Sequence, residues 1–277
     1  MQKLIPHYLL ILAVAIFYSG VYDNAFLYDD KYLIVDNTYL RDWNHIGDMF
    51  RSYATSGAFR AGHFYRPLQN LLYLVIYQAF GPSEIAFHAV NIILHAANAC
   101  MMFALGKKMK FGESASFFAA LIWAVHPIHT EAVAYMSSTA DMMFTGFSLG
   151  ALLVLLPDFT PKKFLIATPL FALALLSKET AIVLPLLVMA CMFGLRQPKV
   201  IYFRTWPLWV TALLYFTWRQ YVAPFHTGDL SNIDPVSKEY VSHISIRIST
   251  FLATIPAYLQ LLIWPEGLHM DRDFPAY

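Results

Sequence analysis

Apolar residues fall in blocks along the chain, and the polar residues between them are short punctuation rather than an alternating face. A bilayer core of about 30 Å takes about 20 apolar residues per helix, so the blocks can be read as spans. They run Leu4 to Tyr22, Glu84 to Leu105, Ser114 to Val125, Ala140 to Leu156, Phe164 to Leu176, Ala181 to Leu195, Thr205 to Val222 and Ser249 to Trp264, about eight membrane segments. Leu68 to Phe80, stopped by Gly81-Pro82, is too short to span and reads as a half-inserted or surface helix. Within the polar loop 23–67, Trp43, Ile46, Met49, Phe50 and Tyr53 recur at helical spacing, which predicts a short interfacial helix over 43–53. The first block follows Lys3 and has the look of a signal peptide. It lacks a small-x-small cleavage site, and we read it as an uncleaved first helix.

Glu84, His88, Asn91, His95 and Asn98 follow one another in steps of four and three, which puts all five on one stripe of a single span. That stripe must face protein, and hydrogen bonds between helices account for it without any catalytic role. His88, nearest the loop side, is its best candidate to touch a substrate.

Lysines and arginines then orient the segments. Lys107, Lys108 and Lys110, then Lys162 and Lys163, then Arg196, Lys199 and Arg204 follow alternate spans, and cytoplasmic loops attract such residues. The amino terminus is thereby expected in the cytoplasm, and loops 23–67, 126–141, 177–180 and 223–248 on the outer side. Composition agrees with a polytopic membrane protein: 58% of the 277 residues are hydrophobic and 13% charged, with a mean hydropathy of +0.50. A formal charge of +1 argues against nucleic acid as a partner. Cys100 and Cys191 lie inside apolar runs, where a thiol acts as a small hydrophobe, so neither a disulfide nor a metal site is expected from them.

The outer loops collect the unusual polar residues. Asp29 and Asp30 are adjacent carboxylates at a membrane surface, costly there unless a proton, a cation or a ligand compensates them. They either serve chemistry or cap an interfacial turn. Glu131 and Asp141 stand just outside two spans and could orient an acceptor, share a divalent cation with Asp29, or cap helices. His126, His129 and Glu131 invite a zinc reading, but their spacing is not that of a helical zinc motif. Arg66, Lys178, Arg219 and Arg247 are candidates for holding an anion; Lys178 is flanked by apolar runs, so it must snorkel, pair with Glu179 or meet a ligand.

The order Tyr28-Asp29-Asp30, Asn37, Tyr65-Arg66-Pro67-Leu68, Phe87-His88-Ala89-Val90-Asn91 with His95, His126-Pro127-Ile128-His129-Thr130-Glu131 with Asp141, Leu176-Ser177-Lys178-Glu179 and Pro265 to Asp271 resembles the transmembrane O-mannosyltransferases with tetratricopeptide repeats and their prokaryotic relatives. The resemblance covers essentially the whole chain and implies an all-α membrane bundle of the type-C glycosyltransferase fold. It implies a polyprenyl or dolichyl phosphate sugar as donor and a protein or glycan hydroxyl as acceptor. It implies Asp29 as catalytic base, with Asp30 as support or metal ligand and Asp141 or Glu131 as a second acid. No cofactor is certain, and a divalent cation held by Asp29 and Asp141 is left open. A multi-pass protein of a bacterial or archaeal plasma membrane, or of the endoplasmic reticulum in a eukaryote, is expected. Two departures stand out: Ile233-Asp234-Pro235 replaces an Asn-rich loop, and no repeats follow, so the chain reads as a fragment or a short member. Asp271-Arg272-Asp273 resembles, weakly, the acidic triplet of soluble glycosyltransferases. A lipid-substrate transporter and a non-catalytic scaffold are the rival readings.

Overall fold

A computed structural model describes residues 4–60, 62, 64–222 and 243–268. The chain divides into two compact units, Met1–Pro224 and Phe225–Tyr277. Numbered in chain order, the longer helices of the first unit are α1 (Ile5–Phe17), α2 (Pro67–Phe80), α3 (Glu84–Lys108), α4 (Glu113–Val125), α5 (Thr139–Leu155), α6 (Pro161–Ser177), α7 (Leu184–Gly194) and α8 (Trp206–Val222). The second unit holds α9 (Ile244–Ile263). No β-strand occurs among the described residues.

Local chemistry sets the helix ends. Pro67 opens α2 at the first helical position, where its missing N–H costs nothing, and it forces Arg66 before it out of the helical region (φ −135°, ψ 62°). Gly81, at φ 66°, stops the same helix in a conformation that other residues resist. Ser83 caps α3, whose first turn carries Glu84 and whose last turn carries Lys107 and Lys108, each opposite in sign to the helix end it sits on. Pro127 ends α4, and the chain bends by 48° into the turns of Pro127–Ala134.

The outward faces are apolar, unlike those of a water-soluble bundle, and the interior sets polar groups among its apolar core. Ile93 is 65% exposed and Leu165 76%, while Asn91 and His95 on the buried side of α3 are wholly enclosed. This is the arrangement that lipid as solvent selects. By length and composition α3, residues Met136–Leu155 and α9 are able to cross a membrane, and the bent pair Glu113–Val125 and Pro127–Ala134 would add a fourth span. The other apolar helices run 11 to 17 residues, cut short by prolines or by Lys178. In the first unit α5 lies along α6, α3 packs on α1, α4 and α5, and α8 leans on α6. Phe164, Phe171, Leu175, Leu184, Val188 and Leu208 fill the core beneath them.

The predicted polar stripe works as a ladder that ties α3 to neighbouring segments, three of its rungs at helix ends or turns and the Asn98 rung at the first turns of α5. His88 Nε2 donates to the Asn24 carbonyl (3.0 Å), Asn91 Nδ2 to those of Val133 and Tyr135 (3.2 and 3.4 Å), His95 Nε2 to Ala124 (2.8 Å) and Asn98 Nδ2 to Met142 (2.9 Å). Asn91 Oδ1 accepts the Thr139 hydroxyl (2.6 Å), and Glu84 accepts the Phe26 N–H (3.3 Å). Carbonyls at interrupted helix ends have no partner inside their own helix, and in hydrocarbon no water replaces it.

The interfacial helix expected over 43–53 is shorter than predicted. Asp42 caps a turn at Trp43–His45 that runs into Ile46–Met49 and stops. Beyond it the Phe50 carbonyl accepts the Tyr65 hydroxyl instead of continuing the helix (3.0 Å).

Candidate functional site

The two adjacent aspartates turn opposite ways. Asp30 is 1% exposed, and its carboxylate knits three segments: Oδ1 accepts the Ser137 N–H and hydroxyl (2.7 and 2.5 Å), and Oδ2 accepts the Leu27 N–H (2.9 Å). Burial lifts its carboxyl above the usual carboxylate range despite those hydrogen bonds. Asp29 is exposed, and its backbone N–H donates to the Tyr135 hydroxyl (3.0 Å). Among the described residues no donor reaches the Asp29 carboxylate. The turn that leads into the pair puts Tyr28 in the left-handed region at φ 43°, a strained conformation for a bulky side chain.

Asp29 opens onto a cavity of about 390 Å³ that is also lined by Arg60, Arg66, Tyr135, Asp141 and Lys178. That volume lies within the range of small-molecule sites, about 300–1,000 Å³. Each cation is held by a distinct device. Arg66, turned out of the helix by Pro67, reaches Glu179 with Nε and one terminal nitrogen (3.4 and 3.2 Å) and lies over the Phe64 ring (4.4 Å). Lys178 caps the C-terminus of α6 in an extended conformation and places Nζ 2.7 Å from both carboxylate oxygens of Asp141, in the first turn of α5. Arg60 stacks on Tyr32 (4.3 Å) and donates to its hydroxyl (3.1 Å). Burial works to raise the Glu179 carboxyl, but the charge and hydrogen bonds of Arg66, with Lys178 beyond, outweigh it and leave the group below its usual range.

Helix α2 supplies the scaffold. Gln69 Nε2 donates to the Tyr73 hydroxyl and the Ser137 carbonyl, Tyr73 donates to the Met136 carbonyl, and Asn70 donates to the Ala54 carbonyl. Two walls of the cavity, 53–55 and 135–138, are thus pinned to one helix.

Of the residues singled out in the sequence, Asp29, Arg66, Asp141 and Lys178 meet at this cavity, with Glu179 behind Arg66. Asp30 is not in its lining; its geometry is that of a positioning residue, with both oxygens accepting from backbone or Ser137. Between the two candidates for a second acid, Asp141 lines the cavity and Glu131 does not. His88 is fully buried on the α3 ladder and cannot touch a substrate. His126 Nδ1 accepts the Ile128 N–H, and His129 packs against Trp123 and His95 (ring centroids 4.7 and 5.6 Å), so neither lines the cavity. Arg219 is buried on α8 outside the lining, and Arg247 is exposed on α9 in the second unit. Ile233-Asp234-Pro235 and Asp271-Arg272-Asp273 lie outside the described residues. Sequence reasoning misses Arg60, Tyr135 and Ser137. In the sequence Arg60 is only one of several basic residues in a long loop.

The residues do not fit a divalent cation. Among the described residues no group of three or more His, Cys, Asp or Glu side chains comes together as ligands. Asp141 gives both oxygens to Lys178, and three cationic side chains face two carboxylates in the cavity lining. An anion suits this wall: Lys178 has a third N–H, and Arg66 has further donors beyond the two directed at Glu179.

Fold and cavity together define an all-α membrane bundle with an anion-receptive polar site set among loops at helix ends. The model of the dolichyl-phosphate-mannose-protein mannosyltransferase family matches residues 66–219, more than half of the chain, and the chain belongs to that family. The match takes in Arg66, Asp141 and Lys178 but not Asp29. A protein O-mannosyl-transferase of Caenorhabditis elegans is 29% identical over 160 residues, 54% of this chain and 23% of that protein. The human protein O-mannosyl-transferase TMTC4 is 31% identical over 48% of the chain and 20% of its own length. The mouse protein O-mannosyl-transferase TMTC3 is 30% identical over 63% of the chain and 20% of its own length. The chain thus spans about a fifth of the length of the curated relatives it matches. No solved structure matches it.

Proposed function

We propose that this chain is the membrane part of a type-C glycosyltransferase that moves mannose, or another hexose, from a polyprenyl or dolichyl phosphate carrier to a hydroxyl of a protein acceptor. The reaction takes place on the non-cytoplasmic face of a multi-pass protein whose amino terminus is cytoplasmic, as the basic loops argue. The observation that carries this reading is one cavity that Asp29, a carboxylate to which no described residue donates, shares with Arg60, Arg66 and Lys178.

Asp29 takes the proton of the acceptor hydroxyl as that oxygen forms its bond to the anomeric carbon. The bond from the anomeric carbon to the phosphate oxygen breaks, and its electron pair stays on the phosphate. The carrier phosphate gains a negative charge, which the spare donors of Lys178 and Arg66, with Arg60 at the rim, stabilise. Attack from the side opposite the leaving phosphate gives a single displacement with inversion. Asp141 keeps the Lys178 ammonium aimed at the cavity, and Asp30 fixes the loop on which Asp29 sits. Positioning and charge stabilisation supply the catalysis, which suits walls pinned to rigid helices. A transport reading loses its path, because the polar stripe of α3 is committed to backbone carbonyls.

The test is transfer of label from polyprenyl phosphate mannose to a Ser/Thr-rich peptide by the full chain in membranes. Asp29→Asn should insert and express normally and lose transfer by a factor of about 10² to 10⁴, the usual contribution of a positioned base. A well-expressed Asn variant with the wild-type rate refutes the assignment.

A further inference from the structure

A second site lies at the other end of α7 and α8 from the cavity. Lys178 and Glu179 precede α7, and near the far end of α8 Trp218 Nε1 donates to the Tyr65 hydroxyl (3.0 Å). Along α8, Trp206 is twelve residues before Trp218, roughly 18 Å at the helical rise. There the chain leaves α7 at Gly194, runs through Arg196 and Lys199, and forms the turn Lys199–Thr205 before α8 begins. A groove of about 1140 Å³ opens between the end of α7 and that turn, lined by Met189, Phe193, Gly194, Tyr202 and Trp209, with Arg196 and Lys199 also in its wall. A second groove of about 640 Å³, between α6 and the start of α8, is lined by Phe164, Leu165, Pro169 and Arg204. Phe203 and Trp206 belong to both grooves and are 81% and 64% exposed, so they form the ridge between them.

We propose that this double groove binds an anionic diacyl phospholipid. The phosphate-bearing headgroup sits at Arg196 and Lys199, and one acyl chain lies on each side of the Phe203–Trp206 ridge. Three observations point to that occupant. Two apolar channels separated by one aromatic ridge match two chains joined at one head. Basic residues border the groove, where they complement a lipid phosphate, and each such residue near an anionic surface favours binding. Trp206, Trp209 and Tyr202 are of the type that settles at the depth of lipid headgroups. Arg204 is committed elsewhere, since it donates to the Phe159 carbonyl (3.1 Å) and ties the turn to the end of the α5–α6 connection. The site is distinct from the cavity of Asp29 and does not depend on the transferase reading.

Native mass spectrometry of the full chain, released from nanodiscs of equal parts phosphatidylglycerol and phosphatidylcholine, reads the retained lipid. Phosphatidylglycerol should be retained in preference, and R196Q/K199Q should lower that preference by up to about thirtyfold, from the contribution of two basic residues. Gly194 lines the groove and a Cβ added there meets nothing within 4 Å, so Gly194→Phe introduces an aromatic ring from an open position of the groove wall. It should lower retention with both charges in place. K107Q/K108Q, which neutralises two lysines in the last turn of α3 that line neither groove, should leave the preference unchanged. Equal retention of the two lipids, a preference that survives R196Q/K199Q, undiminished retention in Gly194→Phe, or an equal loss in K107Q/K108Q overturns the proposal.

Discussion

Asp29 and Asp30 are chemically identical neighbours, and their removal should have opposite consequences. In Asp30→Ala the Ser137 N–H, the Ser137 hydroxyl and the Leu27 N–H each lose their acceptor. A hydrogen bond to a charged group contributes about 1.5–3 kcal/mol, and a buried donor left without an acceptor costs about 1–3 kcal/mol. Two terms reduce the total. Leu27 is exposed enough for water to replace its acceptor, and the variant no longer buries a carboxylate that burial already disfavours. The net loss for Asp30→Ala is about 2–4 kcal/mol. Asp29→Ala removes an exposed side chain whose carboxylate accepts nothing from the described residues, and its effect on stability should stay within about 0.5 kcal/mol. Unfolding midpoints of the two variants in one detergent, with transfer assayed on the same preparations, give the comparison. Asp29→Ala should melt like the wild type and be inactive; Asp30→Ala should melt early. Equal losses of stability in the two variants, or a wild-type midpoint for Asp30→Ala, would show that the loop is not organised in this way.

Three further outcomes follow from the same contacts. Lys178→Met, Asp141→Asn and the double variant should give a coupling of about 1–2 kcal/mol in a stability cycle, reduced from a fully buried pair because the side chains are 20% and 28% exposed; additive losses argue against the pair. Glu179 has a carboxyl pKa depressed by Arg66, so its contribution to stability is present above the ordinary glutamate range, about 4.3, and is lost as pH falls through the lower folded value. Melting curves of wild type and Glu179→Gln should accordingly converge on acidification from pH 7 toward 3, and a gap that persists or widens contradicts the sign. Gly57→Ala should destabilise by about 1–3 kcal/mol, because the new Cβ would collide with the Asn37 side chain, which is held by its own bonds to Leu33 and Tyr39; a neutral result in a thermal-shift assay speaks against the packing of that loop.

The sequence by itself determined the elements and the interior face of α3. Apolar blocks, Gly81-Pro82, Pro127 and the Lys178 interruption are local signals, and the spacing of His88, Asn91, His95 and Asn98 is a property of helical geometry alone. It also put Asp29, Arg66, Asp141 and Lys178 forward as candidates, through the types of residue and the resemblance they carry. Only the tertiary structure decided which of them meet. Asp141 and Glu131 are equivalent in the sequence, each acidic and each near a helix start, yet Asp141 alone faces Lys178, 37 positions along the chain. Asp29 and Asp30 were told apart by a serine 107 positions away, which donates to Asp30. Arg60 and Tyr135 joined the site through loop folding that leaves no periodic trace. Periodicity records the path of one element relative to its own axis. Which loops share a cavity depends on contacts between segments far apart in the chain, where each hydrogen bond is decided by the packing of all the others.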